Sequence, residues 1–174
     1  QVKSELLGLP IRTPSSLKNN IDEYNFIKKI KPTIVIVISY GQIIPKEFLK
    51  LSEKGFFNIH ASILPKLRGA APIQRAIMSQ DTETGISFMK INENLDTGPV
   101  LKTYKIKIDL NLNATELEKK LSQLAAKKII EIINNIIKGK VKLKEQDHSE
   151  ATYAEKIDKR EGKIYWNDSS KKII

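Results

Sequence analysis

The run PTIVIVISYG, residues 32–41, constrains the fold more than any other part of the chain. Five consecutive β-branched apolar residues, Ile34 to Ile38, leave no polar face to present to water. They are bounded by a helix-stopping proline and a glycine. Such a run reads as a strand buried on both faces, as the strands of parallel sheets are. It is also far too short to cross a bilayer.

The flanking periodicities agree with that reading. Ile21, Tyr24, Phe26, Ile27 and Ile30 recur at near-helical spacing, and Pro32 ends the segment. Before them, QVKSELLGLP reads as the last turns of a helix closed by Gly8 and stopped by Pro10. A loop containing Pro45 and a short helix lead to FFNIHAS, a second strand, then a proline turn and a helix over APIQRAIMSQ. TGISFMKIN (84–92) alternates as a strand, and PVLKTYKIKI (99–108) alternates strongly enough to predict a sheet edge or an open face. A long amphipathic helix is expected from a Thr115–Glu118 capping box to Lys138, closed by Gly139. The remainder is polar and loop-like. This order predicts an α/β domain with a mainly parallel, Rossmann-like sheet covered by helices on both faces. Ligands of such sheets bind beyond the strands' carboxyl ends, here after Ser39, His60 and Asn92.

Composition narrows the classes further. At 174 residues and 40% hydrophobic content the chain can bury one ordinary core. The absence of cysteine excludes disulfides and thiolate metal sites and points to a reducing cytoplasm. No secretory n-region and h-region opens the sequence. A net charge of +10 favours a polyanionic partner, although the lysines are scattered rather than clustered. GxGxxG, Walker, HExxH and GxSxG patterns are all missing, which removes the usual support for dinucleotide, nucleoside triphosphate, zinc-protease and serine-hydrolase readings.

Asn58 and His60 are the polar residues that do not belong in a buried strand. Two apart, they share one face near its carboxyl end. Asn can hold a developing oxyanion and His can move a proton. Equally, His60 can be a satisfied half-buried histidine and Asn58 a strand-end residue bonding the backbone. Asp96, in NENLDTGPV, is either an Asx-turn residue or a carboxylate that orients the imidazole. Ser62, Ile63, Leu64 and Pro65 form either a rigid apolar wall with free amides or simply a turn. Arg68 reads as a solvated or phosphate-binding loop residue, with Gly69, Ala70 and Ala71 allowing close approach at a helix start.

The segment NIHASILPKLRGAAPIQRAIMSQDTETGISFMKINENLDTGPVL resembles the catalytic core of the methionyl-tRNA formyltransferase family, within the wider folate-dependent formyltransferases. TPSSL, VISYGQIIPKEFL, TYAEKI and EGKIYW fall in the family's order around it, so the likeness runs nearly the length of the chain. The resemblance implies a formyltransferase fold and a catalytic trio of Asn58, His60 and Asp96, with Asp96 fixing the imidazole tautomer and helping to hold a proton-carrying water. It implies a folate-contacting turn at Ser62, Ile63, Leu64 and Pro65, and a pterin pocket walled by the loop after Tyr40 and Gly41. The implied reaction carries a formyl group from 10-formyltetrahydrofolate to the α-amino group of initiator methionyl-tRNA, by a cytoplasmic monomer that needs no metal and no membrane. Formyl transfer to a small amine, or an inactive remnant with RNA or protein contacts, stays open beside it. The family's opening glycine-containing βαβ segment with its basic loop, and its C-terminal β-barrel domain, have no counterpart in these residues. The sheet is therefore expected to be incomplete at the N-terminus, with apolar edge surface exposed. Residues 1–150 are expected to form a partial catalytic domain, and 151–174 the start of a linker toward the β-barrel domain.

Overall fold

Asn20 starts the first long helix by accepting a hydrogen bond from the Glu23 N–H, with Asp22 and Glu23 in the first turn and Lys28 and Lys29 in the last. Each charge sits at the helix end whose dipole it complements. In the computed structural model, which describes residues 2–109 and 111–169, this helix is α2 (Ile21–Ile30), after a one-turn-and-more α1 (Val2–Leu6). The chain continues through β1 (Val35–Val37), α3 (Lys46–Leu49), β2 (Phe56–His60), β3 (Arg68–Gly69), α4 (Pro72–Met78), β4 (Glu83–Lys90), β5 (Val100–Lys107), α5 (Ala114–Ile137) and β6 (Tyr153–Ala154). Gln1 and residues 170–174, included in the expected domain ranges, lie outside the described residues.

The main sheet has the order β1-β2-β4-β5. β1 and β2 pair in parallel, whereas β4 is antiparallel to both of its neighbours. Three of the four strands thus point one way and β4 alone is reversed. The α/β class and the dominant strand direction are as expected, but two of the three ladders are antiparallel. Between β4 and β5 the reason is length: residues 91–99 are too few for a crossover, so the chain folds straight back. β5 takes the edge position that its alternation predicted.

Helices cover both faces, as the sequence predicts. Phe57 and Ile59 of β2 and Ile86 and Phe88 of β4 pack against Leu117, Leu121, Ile132 and Ile136 of α5. On the opposite face Phe56, Val35 and Val37 pack with Ile44, Phe48, Tyr24 and Ile27 from the α2–α3 side. Alternation along β2 therefore sends Phe57 and Ile59 to α5 and puts Asn58 and His60 in the row that begins with Phe56.

Two expectations need correction, and one range holds more structure than expected. β1 is half-buried rather than enclosed, and Ile38 is 57% exposed, because among the described residues β1 has a strand neighbour on one side only. The α5 capping box is Asn113–Glu116, not Thr115–Glu118: the Asn113 side chain accepts from the Glu116 N–H and the Glu116 carboxylate accepts from the Asn113 N–H. Of the range expected to begin a linker, residues 152–161 pack against the domain. β6 pairs in parallel with β3, and Arg75 of α4 grips the Glu155 carbonyl and the Glu161 carboxylate. The segment 152–161 is thus a strap across α4 and the loop before it.

Candidate active site

β2 carries Asn58 and His60 into a cleft of about 450 Å³. Val37 and the Ser39–Ile44 loop line one side, Gly69, Ala70 and Pro72 to Gln74 another, and Met89 with Ile91 to Asp96 a third. Tyr40 contributes a ring to the wall, and burial pushes its phenol further above the ordinary tyrosine range, so it stays neutral there. Among the described residues no group of three or more His, Asp or Glu side chains gathers in a way that could hold a metal ion. None of the described helices is long and apolar enough to cross a membrane.

The three residues singled out in the sequence converge. The Asn58 Nδ2 donates to Asp96 Oδ1 at 3.4 Å, a long bond, and His60 Nδ1 lies 3.5 Å from Asp96 Oδ2. The Gly69 N–H donates to Asp96 Oδ2 at 2.9 Å. His60 is 5% exposed. Its Nε2 lies 2.8 Å from the Leu67 carbonyl. A carbonyl only accepts, so Nε2 carries the hydrogen and Nδ1 is the nitrogen left facing the carboxylate. The shorter contact, to the Leu67 carbonyl, favours the tautomer with the hydrogen on Nε2. Leu67 itself has φ +56°, which turns its carbonyl back toward the strand end.

Asp96 does not reach the pair by projecting from the same end of the sheet. Since β4 runs opposite to β2, its carboxyl end lies beside Phe56, where the Ile91 N–H donates to the Phe56 carbonyl at 2.8 Å. The loop then returns over the sheet face. Asn92 holds it by accepting from the Asn94 N–H and the Thr97 hydroxyl, and Asp96 turns with φ +50°, a conformation Asp tolerates better than most residues.

The turn that follows β2 stays out of the cleft. Ser62, Ile63, Leu64 and Pro65 are absent from its lining. Ser62 and Leu64 are buried, the Ser62 hydroxyl donates to the Lys66 carbonyl, and Ser87 of β4 donates to the Ser62 carbonyl while accepting from the Leu64 N–H. The Leu64 N–H, one of the amides expected to face a ligand, is therefore taken by Ser87. Arg68 is likewise neither solvated nor free for phosphate. It is 2% exposed, its Nε and Nη2 donate to Gln146 Oε1 at 3.1 and 2.7 Å, and Nη2 lies 2.9 Å from His148 Nδ1.

Sequence reasoning passed over Ser87 and Gln146. Ser87 is a polar residue inside the strand TGISFMKIN, between Ile86 and Phe88, and that interruption of an apolar run was the available signal. Gln146 lies in a polar segment and had none.

Comparison with known proteins places these residues in context. The family model described as formyl transferase matches residues 11–133. The methionyl-tRNA formyltransferase of Pelagibacter ubique (strain HTCC1062) is 56% identical over 174 residues, covering all of this chain and 56% of that protein. That of Caldicellulosiruptor saccharolyticus is 45% identical over 166 residues, covering 95% and 53%. The chain spans about half the length of the curated relatives it matches. Among solved structures, the sugar 3N-formyl transferase WlaRD, in the presence of dTDP and 5-N-formyl-THF, has a TM-score of 0.74 at 21% identity, over 98% of this chain and 58% of that one. HypX from Aquifex aeolicus, in complex with tetrahydrofolic acid, has a TM-score of 0.74 at 20% identity, over 87% and 26%. At these identities the two structures show a shared fold.

Proposed function

Because the chain belongs to the formyl transferase family, we propose that it carries the catalytic site of an enzyme that moves a formyl group from 10-formyltetrahydrofolate to the α-amino group of initiator methionyl-tRNA in the cytoplasm. The observation that carries this reading is the convergence of Asn58 Nδ2 and His60 Nδ1 on one Asp96 carboxylate inside the cleft. The names of the curated relatives support the choice of acceptor.

The cleft fits a folate of this kind: it has apolar side chains at Tyr40, Ile43, Ile44 and Ile91, and Asn58, His60 and Asp96 are among the polar groups that line it. The bound cosubstrate supplies the formyl group as an amide-like carbonyl on nitrogen. The chain's own residues do the rest. The Asn58 amide has a second N–H that no acceptor among the described residues takes, and it donates to the carbonyl oxygen as negative charge develops there. His60 Nδ1 takes the proton that the attacking amine loses as its N–C bond forms, and returns it to the folate nitrogen as the old C–N bond breaks. Asp96 holds the charged imidazole across the 3.5 Å contact. Leu67 keeps the ring from rotating by accepting from Nε2. The folate contacts fall on the Tyr40–Ile44 loop, while Ser62, Ile63, Leu64 and Pro65 shape the strand end from behind.

The test is formyl transfer by the complete protein containing this chain, with methionyl-tRNA and small amines such as amino sugars offered separately. Formyl-methionyl-tRNA is the expected product, lost in His60→Ala. Formylation of a small amine with the tRNA inert would select a different acceptor, and no transfer to any amine would refute the reaction.

A further inference from the structure

Gln146 lies in the polar segment after α5, yet it is 7% exposed and uses its whole amide. Its Nε2 donates to the Asp96 carbonyl at 2.8 Å and to the Gly98 carbonyl at 2.7 Å. Its Oε1 accepts from Arg68 Nε and Nη2 at 3.1 and 2.7 Å. An amide supplies two donors and one doubly accepting oxygen, and all are occupied. The guanidinium can only donate, so it fixes which way round the amide lies: a flipped Gln146 would turn its NH2 toward Arg68 and its oxygen toward two carbonyls. His148 Nδ1 and the buried setting of Arg68 hold the guanidinium in turn.

We infer that Gln146 is a positioning residue for the reaction proposed above, pinning the backbone of Asp96 so that its carboxylate meets Asn58, His60 and the Gly69 N–H together. Asp96 is the one residue of that trio on a loop, and its backbone has φ +50°. Three of its oxygens are engaged from three directions: the carbonyl by Gln146, Oδ2 by Gly69 and Oδ1 by Asn58. Fixing the carbonyl fixes the direction of the Cα–Cβ bond, and with it the approach of the carboxylate to His60 Nδ1. No residue other than glutamine satisfies both ends. Leucine removes all four hydrogen bonds, and glutamate keeps Arg68 but sets a carboxylate oxygen against the carbonyls of Asp96 and Gly98.

The inference rests on the functional reading for its rate consequences, and the test separates the two. In the complete protein, Gln146→Leu and Gln146→Glu are compared for formyl transfer, for thermal unfolding, and for the 15N signal of His60 Nδ1, assigned by its loss in His60→Gln. Each variant is expected to lower kcat on the order of 100-fold with the KM for the folate donor changed less than about threefold, since a misplaced group near the reacting atoms costs turnover before binding. The His60 signal is expected to shift in both. Adding Gln146→Glu to Asp96→Asn is expected to change kcat by less than about twofold, because the two act through one group. Glutamate, isosteric and paired to Arg68, keeps the test decisive if the leucine variant does not fold. A glutamate variant with wild-type kcat and an unmoved His60 signal overturns the inference. So does a lower melting temperature with both intact, which would assign Gln146 to holding the fold alone. If the unaltered protein transfers no formyl group to any amine, the functional reading falls, while the His60 signal still decides whether Gln146 positions Asp96.

Discussion

Gly98→Ala tests how tightly the Asp96 loop is built. A methyl group at Gly98 would lie 1.9 Å from the Lys90 carbonyl oxygen, 3.0 Å from the Lys90 carbonyl carbon and 3.3 Å from Met89 Cε. To reach ordinary contact the two segments must separate by about 1.5 Å, an overpacking whose cost is about 1–3 kcal/mol. The separation acts where the Lys90 N–H donates to the Pro99 carbonyl at 2.9 Å and where the Gly98 carbonyl accepts from Gln146. Losing one such bond adds about 1 kcal/mol, so the variant is expected to lose about 2–4 kcal/mol in all. For a domain of this size that is a fall of about 10 °C in Tm. Gly98 is also two residues from Asp96, and a displacement near 1 Å at a positioned group lowers turnover on the order of 100-fold. Thermal unfolding and single-turnover formyl transfer, both on the complete protein, measure the two effects. A Tm within about 1 °C of the parent and a kcat within twofold would refute the packing argument. A fall in Tm with kcat intact would leave the clash standing and refute its coupling to Asp96.

The remaining predictions address the trio, the core and the strap. His60→Ala and Asp96→Asn are each expected to lower kcat by about 10²- to 10⁴-fold. Asp96→Asn should cost only about 1 kcal/mol of stability, mainly from the weakened Gly69 bond; a large loss of stability with turnover preserved would mean the residues serve the fold instead. Phe88 is wholly buried against α5 and meets Tyr104 edge to face at 6.1 Å, so Phe88→Ala is expected to lose about 3–5 kcal/mol in denaturant titration. Since it faces away from Asn58, kcat below the unfolding transition should be unchanged. Glu161 is held below the usual glutamate range, first by its bonds to Arg75 and then by the Asp158 N–H. A depressed carboxyl stabilises the folded state above its unfolded pKa and loses that contribution as pH falls through the folded value. Amide protection in residues 152–161, taken relative to the intrinsic exchange rate at each pH, should therefore fall in acid, and Glu161→Gln should remove the step; pH-independent protection would contradict the role of this pair.

Much of the architecture was legible in local pattern. The β-branched run at residues 34–38, the helical spacing of Ile21 to Ile30 and the alternation of residues 99–108 each named an element that the fold contains. Period-two alternation also placed Asn58 and His60 on one face without any tertiary information. Local pattern failed where the decisive partner was distant in the chain. Arg68 looked solvated because nothing near it in sequence accepts its hydrogens; Gln146, 78 residues away, does. The SILP turn looked available to a ligand because Ser87, which occupies its Ser62 carbonyl and its Leu64 N–H, belongs to another strand. The linker after residue 150 looked unattached because its anchors, Arg68, Gly69 and Arg75, lie far upstream.

The sequence by itself determined the α/β class, the strand that bears the site and the chemical types assembled there. These depend on periodicity and on what each side chain can donate, accept or hold, and both are written residue by residue. Tertiary structure alone decided how the types become a geometry. The reversal of β4 sends the Asp96 loop back over the sheet face, the Leu67 carbonyl fixes which imidazole nitrogen faces the carboxylate, and Gln146, from the segment after α5, holds that residue's backbone carbonyl. Each depends on a long-range pairing whose free energy is gained only when both segments are already in place, so neither segment records it alone.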